Sequence, residues 1–222
     1  MFITFEGPEG SGKTTHARLL YEYLREEEYP VVLTREPGGT RISDKVRGIL
    51  LDPNSVEMLP RTEVLLFSSA RAQLCDELIR PELKQGKTVI CDRYSDSTIA
   101  YQGYAEGLDP DTLRVITEFA TGGLRPDLTI YLDLPVEIGF NRLLGPVKHE
   151  DLLEYEGQLP LFIKWDRFGI KGVEFHRRVQ EGYEQLIKAE PERWHRVDAN
   201  RPLEQVQDDV RRKVLSVLED RS

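Results

Sequence analysis

The stretch that most constrains this chain is its start, Phe2 to Thr15, FITFEGPEGSGKTT. It predicts a short buried strand, a glycine loop and the opening of a helix. Gly7, Gly12, Lys13 and Thr14 keep the G-x-x-x-x-G-K-[ST] spacing of a phosphate loop in the setting that gives the spacing meaning. Glycines let the run Gly7, Pro8, Glu9, Gly10, Ser11, Gly12 curl so that successive N–H groups point inward at phosphate oxygens. The following helix adds the positive end of its dipole. Lys13 is expected to reach the β and γ phosphates, Thr14 to ligate Mg²⁺, and the triphosphate-binding run to extend to Thr15. A chance glycine-rich turn would not bring strand, spacing, Lys-Thr and helix together.

The rest of the chain alternates strands with helices. Ala17, Leu19, Leu20, Tyr23 and Leu24 recur at helical spacing, and Pro30 is expected to end that helix. Val31 to Thr34, Thr88 to Cys91, Leu128 to Leu132 and Trp194 to Val197 read as further short strands. Helical patterns cover Ile42 to Leu51, Pro60 to Leu83, Asp109–Pro110 to Ala120, Val136 to Leu144, Val173 to Ala189 and Pro202 to Leu218. This order predicts a three-layer α/β/α sandwich on a five-stranded parallel sheet, of the P-loop NTPase type. From Gly145 to Gly172 the periodicity fails amid charges, aromatics, prolines and glycines, so residues 145–172 are expected to form a mobile lid inserted in a single domain, 1–222. Its acidic part, His149 to Glu156, reads as a solvated face rather than a metal site.

Bulk properties narrow the function. A chain of 222 residues buries one substantial core. Thirty Lys and Arg against 39 Asp and Glu give a net charge of -9, which argues against nucleic acid or anionic membrane as the main partner. No apolar run approaches the roughly 20 residues of a membrane span and no signal-peptide pattern opens the chain, so a cytoplasmic location is expected. Cys75 and Cys91 lack metal-ligand spacing and read as reduced core thiols.

Ligands of open α/β sheets gather at the carboxyl ends of the strands, which makes Arg35, Glu36 and Arg47 candidates after the second strand. Asp92, at the tip of the third, sits where a carboxylate would hold Mg²⁺ or its water; the plainer alternative is that it caps the next turn. There is no NKxD-like guanine reader. Arginines after three strands suit two anionic substrates meeting in one crevice.

At these residues the chain resembles the bacterial thymidylate kinases, of the nucleoside monophosphate kinase class. The matching runs are FEGPEGSGKTT, TREPGGT at Thr34 to Thr40, TEVLLFSSAR at Thr62 to Arg71, CDRYSDSTIAYQG at Cys91 to Gly103, RPDLTIYLD at Arg125 to Asp133 and VDANRPLEQV at Val197 to Val206. They span nearly the whole chain in family order. The resemblance implies transfer of the ATP γ-phosphoryl group to dTMP with Mg²⁺, giving dTDP and ADP for dTTP synthesis, by a homodimer. It implies that Glu9 approaches the acceptor 3′-hydroxyl, and that Arg93 holds the acceptor phosphate with Arg47 as helper. Glu36 and Pro37 fall in its TREPGG segment on the acceptor side. Phe67 would stack on thymine and Arg71 donate to a thymine carbonyl. Ser97, Thr98 and Gln102 would line the base pocket, and Tyr101 would disfavour a ribose 2′-hydroxyl. On the donor side Asp198, Ala199 and Pro202 match an adenine loop, and Arg142 an arginine lying against the adenine. Without the resemblance, Phe67 reads as helix core and Arg142 as a solvated helix residue. Arg71 at the thymine O4 would face an amino donor in cytosine, so cytosine should be rejected; the thymine methyl is worth only about 1–3 kcal/mol against dUMP.

The pattern departs from the family in two places. Gly10 stands where some relatives carry a phosphate-loop arginine, and Gly169 replaces the acid of an Asp-Arg-x-Glu run at Asp166 and Arg167. Lys13, Arg93, Asp92 and Arg167 are then the expected catalytic set, with Arg167 as the lid arginine and Thr14 and Asp92 as metal ligands. Another nucleoside monophosphate kinase and a non-catalytic nucleotide-binding protein are the alternatives. An acceptor panel separates the first, and binding of ATP and dTMP without ADP formation would favour the second.

Overall fold

A computed structural model of the chain describes residues 1–144 and 171–219; of Leu144 only the backbone is described. Strands β1 (Phe2–Glu6), β2 (Val31–Arg35), β3 (Thr88–Asp92), β4 (Leu128–Asp133) and β5 (Trp194–Asp198) form one sheet in the order β2-β3-β1-β4-β5, with every pairing parallel. The expected five-stranded parallel sheet is therefore observed.

The period of two along β1 sends its side chains to opposite faces. Ile3 and Phe5 pack with Ala17, Leu20 and Leu24 of α1 (Lys13–Glu26) and with Val206, Val210 and Val214 of the terminal helix, α9 (Leu203–Glu219). Phe2, on the other face, packs with Leu74, Cys75, Ile79 and Tyr94. Further along that face Tyr131 meets Val179 and Tyr183 of α8 (Val173–Ala189). These two apolar layers make the sandwich. Cys75 and Cys91 are both buried and free, as expected.

Helix α2 (Arg41–Leu50) is capped by the Thr40 hydroxyl, which accepts from Ser43 N at 3.3 Å. The apolar run from residue 60 is interrupted where α3 (Pro60–Leu74) passes through a π-helical turn, Cys75–Ile79, into the short α4 (Arg80–Lys84). A second π-helical stretch, Ile99–Ala105, continues α5 (Ser95–Thr98). Asp109 caps α6 (Pro110–Thr121) through Thr112 N at 2.9 Å, and Gly122 at φ 57 closes it in the left-handed conformation that glycine adopts without steric cost. One expectation needs correction: Pro30 does not end the first helix. The helix stops at Glu26, and Glu28 turns the chain at φ 61 before the proline is reached.

The topology also places the site. From β1 the chain goes first towards β3 and β2, and later to β4 on the other side, so β1 is the switch point outside whose carboxyl end ligands collect. The register aligns Arg35 with Asp92 and Asp92 with Phe5, bringing three strand ends to one level. Between β4 and α8 lies α7 (Val136–Leu144), which packs beside the phosphate loop.

Candidate active site

A cavity of about 520 Å³ opens at that level. Its floor is the loop after β1, with Glu9, Gly10, Gly12, Lys13, Thr14 and Thr15; Arg35, Glu36, Pro37 and Arg47 wall one side, and Phe67, Arg71, Arg93, Ser97, Thr98, Tyr101 and Gln102 the far end. Gly7, Pro8 and Ser11 lie beneath this lining in the same loop. Arg142 closes the near end, donating to Ala199 O at 2.9 Å and to Gly10 O at 3.4 Å. It thereby ties the phosphate loop to the segment containing Asp198 and Ala199. Asp198, Ala199 and Pro202 themselves stand outside the cavity wall. Arg167 and most of the 145–172 insertion lie outside the described residues.

The loop curls because Gly10 and Gly12 take φ 73 and φ 92. At Gly10 there is no room for a side chain, since a Cβ would overlap the carbonyl of Gly139 in α7; a Cβ on Gly139 would overlap the Glu9 carbonyl in turn. An arginine at position 10 is therefore excluded by packing. Lys13 is folded into the loop, donating to Pro8 O at 2.7 Å and Gly7 O at 3.0 Å. Burial and the nearby Arg93 push its ammonium down to about 8, with Glu9, Asp92 and Glu6 opposing.

Thr14 donates its hydroxyl to Asp92 Oδ2 at 2.5 Å across the crevice. No cluster of three metal-ligating side chains occurs among the described residues. Two hard oxygens beside a phosphate loop nevertheless fit Mg²⁺, which takes few protein ligands and completes its shell with phosphate and water. The alternative that Asp92 caps the next turn does not hold: the N-cap position of α5 is Tyr94, and the helix has no side-chain cap.

Arg93 sits at the centre of the far half, its backbone at φ 66, a conformation costing a non-glycine residue about 1–3 kcal/mol. Arg93 N donates to Phe5 O at 3.0 Å, which pins it. Nη2 pairs with the Glu9 carboxylate and donates to Tyr101 Oη at 3.0 Å, while Nη1 reaches Ser97 Oγ at 3.2 Å and Tyr183 Oη at 3.3 Å. Tyr101 also donates to Glu9 at 2.7 Å. Burial alone would raise the Glu9 carboxyl; Arg93, Lys13 and the Tyr101 hydroxyl outweigh it and hold it at about 2. An ionised acid is thus fixed between the phosphate loop and the far arginine.

Deeper in, Arg71 is 1 % exposed and forks onto Glu36, with Nε at 2.8 Å and Nη2 at 2.7 Å from Oε2. Its Nη1 has no hydrogen-bond partner among the described residues, and Arg71 lines the cavity beside Phe67. Gln102 Nε2 donates to Glu63 at 2.6 Å, which leaves the amide oxygen as its accepting end. A planar ring wedged by Phe67 would meet a donor from Arg71 and an acceptor from Gln102.

Three contributors escaped the sequence reading. Gly139 looked like an ordinary helix position. Glu6 looked like the last residue of an apolar strand, and Tyr183 like helix core. A carboxylate inside FITFE was the available signal for Glu6, since a buried acid needs partners.

A family model described as thymidylate kinase matches residues 5–210. The chain is 53% identical over 210 residues to a thymidylate kinase of Roseiflexus castenholzii, covering 95% of this chain and 90% of that one. It is 47% identical to a thymidylate kinase of Symbiobacterium thermophilum, covering 98% and 94%. A crystal structure of thymidylate kinase from Ehrlichia chaffeensis superposes with a TM-score of 0.71 at 34% identity, covering 99% of this chain and 98% of that one.

Proposed function

The chain belongs to the thymidylate kinase family and phosphorylates dTMP with ATP, and we propose that it does so by holding the two substrates end to end in the single cavity over β1. The observation that carries this reading is the continuity of that cavity. It joins a phosphate loop with Lys13 to a basic, base-shaped far end with Arg93, Phe67 and Arg71.

In this reading the triphosphate lies along the curl from Gly7 to Thr15, and its charge restores the proton that burial makes labile on Lys13. The adenine extends past Arg142 towards Asp198, Ala199 and Pro202. Thr14 and Asp92 would hold Mg²⁺, which supplies charge neutralisation on the β and γ phosphate oxygens. At the acceptor end the Arg71 Nη1 donates to thymine O4, Phe67 stacks on the ring, and Thr98 and Gln102 close the pocket. Glu36 holds Arg71 in place, and Pro37 contributes its carbonyl to Arg47, which donates to it at 2.8 Å. Glu9 accepts from the acceptor 3′-hydroxyl, and Tyr101, bonded to Glu9, leaves little room for a 2′-hydroxyl. Arg93 grips the acceptor phosphate, and Arg167 completes the charge on the transferred group. Alignment and electrostatics then do most of the catalytic work, since phosphoryl transfer asks little covalent chemistry of the protein.

The same reading makes the chain a homodimer in the cytoplasm. Leu65 of α3 and Val115 and Phe119 of α6 are 59%, 71% and 88% exposed on two helices that pack together, apolar surface that a second copy would cover. Light scattering behind gel filtration measures that state directly.

The function is tested by incubating the protein with ATP and a panel of dTMP, dUMP, dCMP, AMP and GMP. dTMP is expected to react best, dUMP about 10–100-fold less efficiently for want of one methyl, and dCMP negligibly. Preferred turnover of AMP, GMP or dCMP, or binding of ATP and dTMP without ADP, would overturn the assignment.

A further inference from the structure

Glu6 is fully buried, yet no part of the reaction described above uses it. Alternation along β1 puts it on the same face as Phe2 and Thr4, towards α5 and α8. There it meets three donors. Oε1 accepts from Tyr94 N at 2.8 Å, and Oε2 accepts the hydroxyls of Ser97 and Tyr183, each at 2.7 Å. Those hydroxyls stand 3.0 Å apart, and both face Nη1 of Arg93.

Proton accounting makes this arrangement specific. A guanidinium only donates, and a hydroxyl has one proton to give. For both hydroxyls to receive Arg93 Nη1, both protons must go elsewhere, and Oε2 of Glu6 is the acceptor within reach of the two. We propose that Glu6 is a positioning residue for phosphoryl transfer, its carboxylate turning Ser97 and Tyr183 into acceptors that hold one amino group of Arg93 and so fix where the acceptor phosphate is gripped. The inference rests on the reading of Arg93 as the phosphate-holding arginine. A glutamine cannot replace Glu6 here, because its NH₂ must face either the Tyr94 N–H or the two hydroxyl protons. Either choice sets donor against donor next to Arg93.

The surrounding charges support a titrating role. Burial and Asp96 of α5 push the Glu6 carboxyl up to about 7, against Arg93, Ser97 and Tyr183. Lys13 in the phosphate loop also faces it, as does the Cys91 thiol of β3. Asp96 is itself neutralised by Arg193, which forks onto it at 2.7 and 3.0 Å. Protonating Glu6 gives it an O–H that faces either the Tyr94 N–H, if on Oε1, or the two hydroxyl protons, if on Oε2, so that one of its three accepted hydrogen-bond positions is set donor against donor.

The test compares binding of dTMP and thymidine by calorimetry, together with steady-state rates, for wild type, Glu6→Gln, Tyr183→Phe and Arg93→Ala. Glu6→Gln is expected to weaken dTMP about tenfold and thymidine less than about twofold, the size of a lost hydrogen bond to a charged group. It should lower kcat about tenfold with the KM for ATP within about twofold. The wild-type preference for dTMP over thymidine should fall as pH drops through about 7, and Glu6→Gln should keep only the ligand phosphate's own titration near about 6. Tyr183→Phe should show the same dTMP-selective loss, smaller in size, and decides the matter if Glu6→Gln does not fold. Equal losses for dTMP and thymidine, or no loss in either variant while Arg93→Ala weakens dTMP selectively, would overturn the proposal alone. An Arg93→Ala protein that keeps the wild-type preference for dTMP would instead remove the underlying reading, and the inference with it.

Discussion

Arg71 and Glu36, 35 residues apart in the chain, meet in a buried fork that commits Nε and Nη2 of the guanidinium and leaves Nη1 without a hydrogen-bond partner among the described residues, on a side chain that lines the cavity. Burial raises the Glu36 carboxyl while Arg71 opposes the rise, so each charge is tolerable only because of the other. In the proposed reading a lysine would not serve at this position, since a point charge cannot span the acid and the base at once.

Two measurements follow for this pair. Arg71→Lys should lower kcat/KM for dTMP about 10–100-fold and narrow the preference for dTMP over dCMP in a competition assay. Arg71→Ala leaves Glu36 buried and unpaired, and should cost about 3–5 kcal/mol in urea unfolding. Unchanged base preference in Arg71→Lys would remove Arg71 from thymine recognition.

The contact between Gly10 and Gly139 gives a second expectation. Gly139→Ala adds a methyl where the Glu9 carbonyl already sits, and a backbone atom cannot move aside as a flexible side chain would. ATP should bind at least about tenfold more weakly, since a misplaced phosphate cradle loses several aligned donors, while helical content by circular dichroism stays near wild type. Full ATP affinity in Gly139→Ala would show that α7 does not hold the loop in shape.

Glu6 links the site to stability. Its carboxyl is near 4.5 when unfolded and about 7 when folded, so between those values the native protein keeps a proton that the unfolded chain has released. Stability from this group is therefore present below about pH 4.5 and is lost as pH rises through about 7. At about 1.4 kcal/mol per pH decade the loss is about 3 kcal/mol. Glu9, held at about 2, runs the other way, its contribution being lost as pH falls below 4.5. The difference in unfolding free energy between Glu6→Gln and wild type cancels the other groups. It should move in favour of the variant by about 3 kcal/mol from pH 4.5 to 7.5; a flat difference would place the Glu6 carboxyl near its ordinary value.

Gly10 cannot be replaced by an arginine, which leaves Arg167 as the expected source of the additional charge on the transferred phosphoryl group. Single-turnover transfer by Arg167→Ala should slow by about 10³-fold or more. A rate within about threefold of wild type would take the residue out of the mechanism.

Local physics accounts for what the amino-acid order determined without help. A phosphate loop needs its glycines, lysine and threonine at fixed offsets, and β1, β2, β3, β4 and β5 are short enough for hydrophobic period and flanking turns to mark them. Asp92, Arg93 and Arg35 were legible as strand-end residues, because in a parallel sheet the carboxyl ends of the strands must share an edge. Which side chains then touch was not legible. Glu6 reads as one more member of a buried strand until α8, about 177 positions later, brings Tyr183 to it. Arg71 and Phe67 share a helix with ordinary core residues such as Val64 and Leu74, and only the tertiary fold brings Glu36, just past the end of β2, onto Arg71 and sets Arg71 and Phe67 in the cavity wall. Gly139 matters because α7 lies within a methyl's width of the phosphate loop. The sequence alone determined the element order and the residue types available for phosphate chemistry. Tertiary structure decided the partners, because pairing a buried charge is a matter of distances between chain segments that no local pattern encodes.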